Sequence, residues 1–408
     1  MALDLTKAVL GALLLSWSGV GAAQAANSEK LKIKPLLESR LRFENVDQPS
    51  ADADALTLRI RAGAEAMIGN LSFLAEAEGT AALVNNYNAF PFALPGERQW
   101  RPEHSVVADP QNIELNRLQL QYKAGKGTVT LGRQRINLDD QRWVGSVGWR
   151  QNEQTFDALR GELKSGPSSL DLTYAIKQRT IFGSDAGPRT AYDGDFIFAG
   201  AGSKVGPVQG KVFAYLLDYD ESFFVANSSQ TYGLFLSTSI PVTADAKFNL
   251  RASYARQSDY GKNPFNYSAD YWSLDAGATL KEFSFNGGWE KLGSDNGRAV
   301  QTPMATLHKF NGWADVFLTT PPGGLQDSYV TLSYKSEKIP AIKPLVATLS
   351  YHRFDSDAGN SKYGTEWDTS LGFNVGRVAL LAKWADYNAN NYGVDTRKLW
   401  LQAEWALK

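Results

Sequence analysis

The segment LTLRIRAGAEA, residues 56–66, alternates without a break. Leu56, Leu58, Ile60, Ala62 and Ala64 share one parity, and Thr57, Arg59, Arg61, Gly63 and Glu65 share the other. Residues two apart lie on one face only in a strand, so the two arginines occupy a wet face and the aliphatics the opposite one. The same pattern recurs along the chain. Leu37, Leu41 and Phe43 oppose Glu38, Arg40 and Arg42. Leu118, Leu120 and Tyr122 oppose Arg117, Gln119 and Gln121. Leu345, Ala347, Leu349 and Tyr351 oppose Thr348, Ser350 and His352, and Leu399, Leu401, Ala403, Trp405 and Leu407 oppose Gln402 and Glu404.

About 18 segments of roughly ten residues obey this rule, and ten residues are what a tilted strand needs to cross a bilayer. Their connections alternate between short turns, such as Ile68-Gly69-Asn70 and Gly376-Arg377, and longer loops, such as Asp47 to Asp54, Ala81 to Gln111, Ile136 to Glu153 and Leu292 to Leu325. The expected fold is therefore all-β: a transmembrane antiparallel β-barrel of about 18 strands, with short periplasmic turns and long extracellular loops. A propeller would show a blade period near 40 residues, and none is visible. Tyr and Trp near the ends of the apolar faces, among them Tyr122, Tyr254, Trp272 and Tyr351, suit interfacial girdles.

The N-terminus agrees with export. Lys7 precedes an apolar run from Ala8 to Trp17, and Ala23-Gln24-Ala25 fits a cleavage site. Residues 1–25 are expected to be a signal peptide and residues 26–408 one outer-membrane barrel porin domain, its termini in the periplasm of a Gram-negative bacterium. The chain has no cysteine, so disulfides are excluded. A formal net charge of -1 without a basic arm argues against nucleic acid as a partner.

Charge is nonetheless unevenly spread. Of 20 arginines, 12 lie between Arg40 and Arg160. Arg40, Arg42, Arg59, Arg61 and Arg117 fall on wet faces, and Arg133, Arg135, Arg142, Arg150 and Arg160 follow in one stretch. These ten are the candidate selectivity residues, because guanidinium matches carboxylates and never loses its charge near neutrality. Asp139, Asp140 and Asp157 are candidate counter-charges. A second reading of the same residues is a structural ion-pair network across a wide lumen. Arg133 and Arg135 share parity with Val129 and Leu131, which calls for a bulge near Gly132 or a strand that has already left the lipid zone.

The stretch VTLGRQRINLDDQRWVGSVGWRQNEQTFDALR, residues 129–160, resembles the signature of the alginate-export family of outer-membrane porins, and HKFNGWADVFLTTPPGGLQDSYV, residues 308–330, resembles a loop-to-strand region of the same family. The resemblance implies an 18-stranded monomeric barrel with an arginine-rich lumen that passes an anionic solute, either an alginate-like polysaccharide or a smaller molecule. It also implies inward-folded loops that narrow the pore. No cofactor, metal or catalytic residue is expected. The alternatives are a general diffusion porin and a barrel hydrolase. The hydrolase would use Ser350 and His352, but a lone Ser-x-His on one strand face is weak evidence for catalysis. Asp355-x-Asp357-x-Gly359 lacks the terminal glutamate of a calcium loop and reads as a solvated turn.

Overall fold

The computed structural model describes residues 30–407, so the expected signal peptide lies outside the described residues. Twenty strands are present among them: β1 (Lys32–Gln48), β2 (Ala51–Ile68), β3 (Leu71–Asn86), β4 (Asn112–Ala124), β5 (Gly127–Gln134), β6 (Thr155–Ser165), β7 (Ser168–Arg179), β8 (Ala191–Val205), β9 (Val208–Tyr219), β10 (Ser229–Pro241), β11 (Ala246–Asp259), β12 (Ser268–Leu280), β13 (Phe283–Leu292), β14 (Ser294–Asp295), β15 (Arg298–Ala299), β16 (Leu325–Ser336), β17 (Leu345–Asp355), β18 (Lys362–Val375), β19 (Val378–Ala389) and β20 (Thr396–Ala406). β14 and β15 form a small loop hairpin, and the other 18 make one antiparallel sheet. The sheet closes because β1 pairs with β2 on one side and with β20 on the other, Arg40 standing opposite both Arg59 and Glu404. Closure removes the free edges that would leave backbone groups unpaired in lipid.

The alternation sorts onto the two faces as expected. Leu41, Ile60, Phe73, Leu120, Leu234, Leu274, Phe285, Leu332, Leu349 and Leu401 are all exposed, forming an apolar outer band. Arg40, Arg42, Arg59, Arg61, Glu76 and Glu78 are buried on the inner face. Tyr254 packs on Trp272 and Tyr351 on Trp367 near the long-loop end, while Phe283 packs on Tyr334 near the turn end, so aromatics flank the band.

The register shifts at five places among the described residues, and one of them bears on the site. Glu76 faces Arg117 but Ala77 faces Leu115, so Asn116 is an extra residue that shifts the register of β4. The bulge lets Asn116 and Arg117, neighbours in sequence, both reach Glu76. The region Asp47 to Asp54 is also not a long loop. β1 ends at Gln48 and β2 starts at Ala51, leaving a tight turn, because the two strands stay paired beyond the apolar band and Asn45 donates to Asp54 across them (3.0 Å).

Candidate functional site

Three loops fold into the lumen, those after β3, β5 and β15. The first runs from residue 87 to 111 and buries Tyr87, Phe90, Val107 and Asp109. The second runs from 135 to 154. Its Ile136, Leu138 and Val144 are buried in a cluster with the inward aromatics Phe156, Phe198, Phe213 and Tyr215 of β6, β8 and β9. The third runs from 300 to 324 and locks onto the second. Val144 bridges Met304 in parallel, Gly145 N donates to Met304 O (2.8 Å), and Thr306 N donates to Gln141 O (3.1 Å). All three are loops expected from the sequence to constrict the pore.

The arginines are the clamps of this constriction. Arg40 donates to the carbonyls of Gly148, Trp149 and Arg150 at 3.0–3.2 Å and to Glu404 (3.1 Å), tying the second loop to β1 and β20. Arg42 lies over the Trp149 ring, 4.1 Å from its centroid, and donates to Gln402 and Asp109. Arg59 sits between Glu38 and Glu404 (each 3.5 Å). Arg61 holds Glu78 and Glu153 (the latter at 2.7 Å), and Arg135 also grips Glu153. Arg117 makes a two-pronged pair with Glu76 (2.7 and 2.8 Å). Burial alone would raise the Glu153 carboxyl, but Arg61 and Arg135 hold it below its usual range.

Farther along the second loop, Arg142 crosses the lumen to Glu290 (2.8 Å), Thr302 and Asn311. Arg150 joins Glu44 (2.9 Å) of β1 to Asp315 (2.8 Å) of the third loop. Arg160 points into the lumen and pairs with Asp171 (3.1 Å). Arg133 is the exception. It stands opposite Leu118 on the outer face, above the apolar band, where it pairs with Asp157 (3.0 Å) and donates to Leu115 O (2.6 Å). No register shift between β4 and β5 turns it inward. Of the three expected counter-charges, only Asp157 meets a candidate arginine. Asp139 binds Lys211 (2.8 Å) and Asp140 binds Arg251 (2.9 Å).

Other carboxylates do most of the neutralising: Glu38, Glu76, Glu78, Glu153 and Asp171 from nearby in sequence, and Glu44, Asp109, Glu290, Asp315 and Glu404 from far away. An acidic wall opposite the arginines was also missed. Glu290, Asp327, Glu366 and Asp368 are buried on the inner faces of β13, β16 and β18. Glu366 and Asp368 flank the outward Trp367, so alternation alone could have found them. The segment 311–314 docks on this wall. Asn311 donates to Glu290 (2.6 Å), Trp313 N to Asp368 (3.3 Å) and Ala314 N to Glu366 (2.7 Å). Gly312 has φ 82°, and a Cβ there would run into the Glu366 carboxylate, so the turn needs glycine.

His308 anchors the next residue of the seat. Its ring stacks on Trp149 (4.3 Å, 3°). Lys383 donates to Nε2 (2.8 Å), so the proton sits on Nδ1, which donates to Asp315 (2.7 Å). Burial, helped by Lys383 and Arg150, pushes His308 well below its ordinary value against the pull of Asp315, and the ring is neutral. Asp315 resists burial because His308, Lys398 and Arg150 surround it, and it stays ionised far below the usual range. Both shifts favour the deprotonated form in the seated loop. The seat therefore weakens as pH falls below about 6.5, the free imidazole value, first through His308 and only at much lower pH through Asp315. Single-channel noise is expected to rise between pH 7.5 and pH 5; a flat record over that range would contradict the assignment.

Other candidates resolve simply. His352 binds Asp327 (3.0 Å), while Ser350 faces Thr331 (2.8 Å), so the two do not meet as nucleophile and base. Asp357 is occupied by Lys291 and the Ser294 N–H, as befits a turn rather than a calcium loop.

On the long-loop side, the constriction opens into a cavity of about 730 Å³, walled by Phe92, Phe182, Tyr192, Phe224, Val316 and Leu318. The charged groups lining it are Arg150, Arg189, Asp315 and Lys398.

With this geometry in view, comparison with known proteins adds the lineage. Residues 43–178 match the alginate export family. The match spans the end of β1 through nearly all of β7, including the loop that carries Arg142 and Arg150, and ends before the 308–330 stretch. The whole barrel is similar to the outer membrane protein OpdK of Pseudomonas aeruginosa (16% identity, TM-score 0.71, covering 92% of this chain and 98% of that one). It is also similar to OccAB1 of Acinetobacter baumannii (11%, TM-score 0.72, 94% and 99%) and to OpdK solved with vanillate (14%, TM-score 0.71, 92% and 98%). No curated protein matches the chain. The likeness to these outer-membrane proteins shows the fold: one closed antiparallel β-barrel, in keeping with the apolar outer band.

Proposed function

We propose that the barrel passively conducts a small anionic solute, captured in the outer vestibule and passed between the arginine wall and the acidic wall. The observation that carries this reading is the lining of the vestibule: three cations, Arg150, Arg189 and Lys398, face one carboxylate, Asp315. A low-dielectric cleft with a surplus of one sign concentrates ions of the other. The cavity of about 730 Å³ has the size of a small-molecule site, which favours a short solute over a polymer threading the pore. The vanillate bound to OpdK is itself a small carboxylate and supports the same class.

The arginine wall acts here through its shape and field rather than through free cations. Each of the ten candidate arginines already meets a carboxylate. The test is the reversal potential of the reconstituted protein across a KCl gradient. Anion preference is expected, and a potential favouring cations would overturn the reading; a potential near zero would point to general diffusion.

A further inference from the structure

Arg189 differs from every arginine discussed above. It ends a short 3-10 turn, Ser184–Arg189, in the loop between β7 and β8. Its guanidinium carbon lies 4.7 Å from the Phe92 centroid and 4.8 Å from the Phe223 centroid, rings carried by two other loops. It has no ion pair among the described residues. The nearby Tyr192 stacks on Phe224 (4.0 Å, 13°), continuing the aromatic wall. Glu221, which also faces Tyr192, accepts from Asp193 N (2.7 Å), and Asp185 accepts from Gln99 (2.9 Å).

This arrangement has a chemical consequence. A ring face stabilises a cation through its quadrupole and consumes no N–H. The Tyr192 hydroxyl takes one of the Arg189 N–H donors, and those that remain can meet a carboxylate with the charge-assisted geometry guanidinium favours. We infer that Arg189 is the capture residue of the vestibule, binding the carboxylate of a small solute whose apolar body lies along Phe92, Phe182 and Phe224. The inference rests on the anionic-solute reading and goes further, naming the residue and requiring a carboxylate joined to an apolar body. Arg150 and Lys398 cannot fill this role equally, because both are already bound to Asp315 (2.8 and 3.3 Å).

The experiment uses the full barrel in planar bilayers, with benzoate titrated against a chloride current and acetate as the comparison. Wild type is expected to show saturable block by benzoate and weaker block by acetate. Arg189→Gln should weaken benzoate block by about tenfold or more, the loss expected for a charge-assisted hydrogen-bonded pair. Arg189→Lys should recover only part of it. Phe223→Leu, which keeps the cation and removes one ring, should weaken benzoate more than acetate. Chloride conductance of each variant shows that the barrel has folded. If wild type prefers anions but Arg189→Gln leaves benzoate block unchanged, the capture site is wrong and the channel reading stands. If wild type prefers cations, the channel reading itself falls.

Discussion

Asp315→Ala is expected to loosen the constriction and raise both the single-channel conductance and its noise. Asp315 receives Arg150, Lys398 and His308 at 2.8, 3.3 and 2.7 Å, and is almost wholly buried. Removing it leaves the buried Lys398 without its carboxylate, and Arg150 held by Glu44 but no longer tied to the third loop. Breaking a buried pair in this way costs roughly 3–5 kcal/mol. The barrel wall holds itself through backbone pairing, so the cost falls on the third loop and on the second loop's end at Arg150. The current histogram should broaden and its mean should rise, with Asp315→Glu keeping most of the wild-type behaviour. Identical histograms for Asp315→Ala and wild type would show that the third loop is held elsewhere.

Leu332→Arg is expected to cost roughly 2–4 kcal/mol of folding stability, the range for arginine on the lipid face near mid-membrane. Leu332 lies on the outer face of β16 beside Phe285 and Leu349, all three exposed to lipid. Thr331, its neighbour in sequence, faces the lumen and bonds Ser350. Thr331→Arg should therefore leave the unfolding midpoint in lipid vesicles nearly unchanged. Equal losses at both positions would mean that the two faces have been assigned the wrong way round.

Period-two alternation in short windows made the barrel legible. It placed Arg40, Arg42, Arg59 and Arg61 in the lumen because their face is decided by the residues next to them. Nearby partners on the same faces, Glu38 for Arg59 and Glu78 for Arg61, were legible too, but the distant ones were not. Arg40 meets Glu404, and Arg150 meets Glu44 and Asp315, across separations that only closure and loop folding bring together. The extra residue in β4 was hidden as well, since Asn116-Arg117 looks like ordinary alternation until Glu76 is seen to hold both. Arg189 escaped notice for a related reason. Its partners are phenylalanines from two other loops, and an isolated arginine after a proline carries no periodic signal.

The pairing of β1 with β20 has a bearing on assembly. Arg40, Arg42 and Arg59 take Glu404 and Gln402 from the final strand. Without that strand Arg40 and Arg42 would lack these side-chain acceptors, while Arg59 and Arg61 would keep Glu38 and Glu78. The completed seam thus supplies the last acceptors as well as the last backbone ladder.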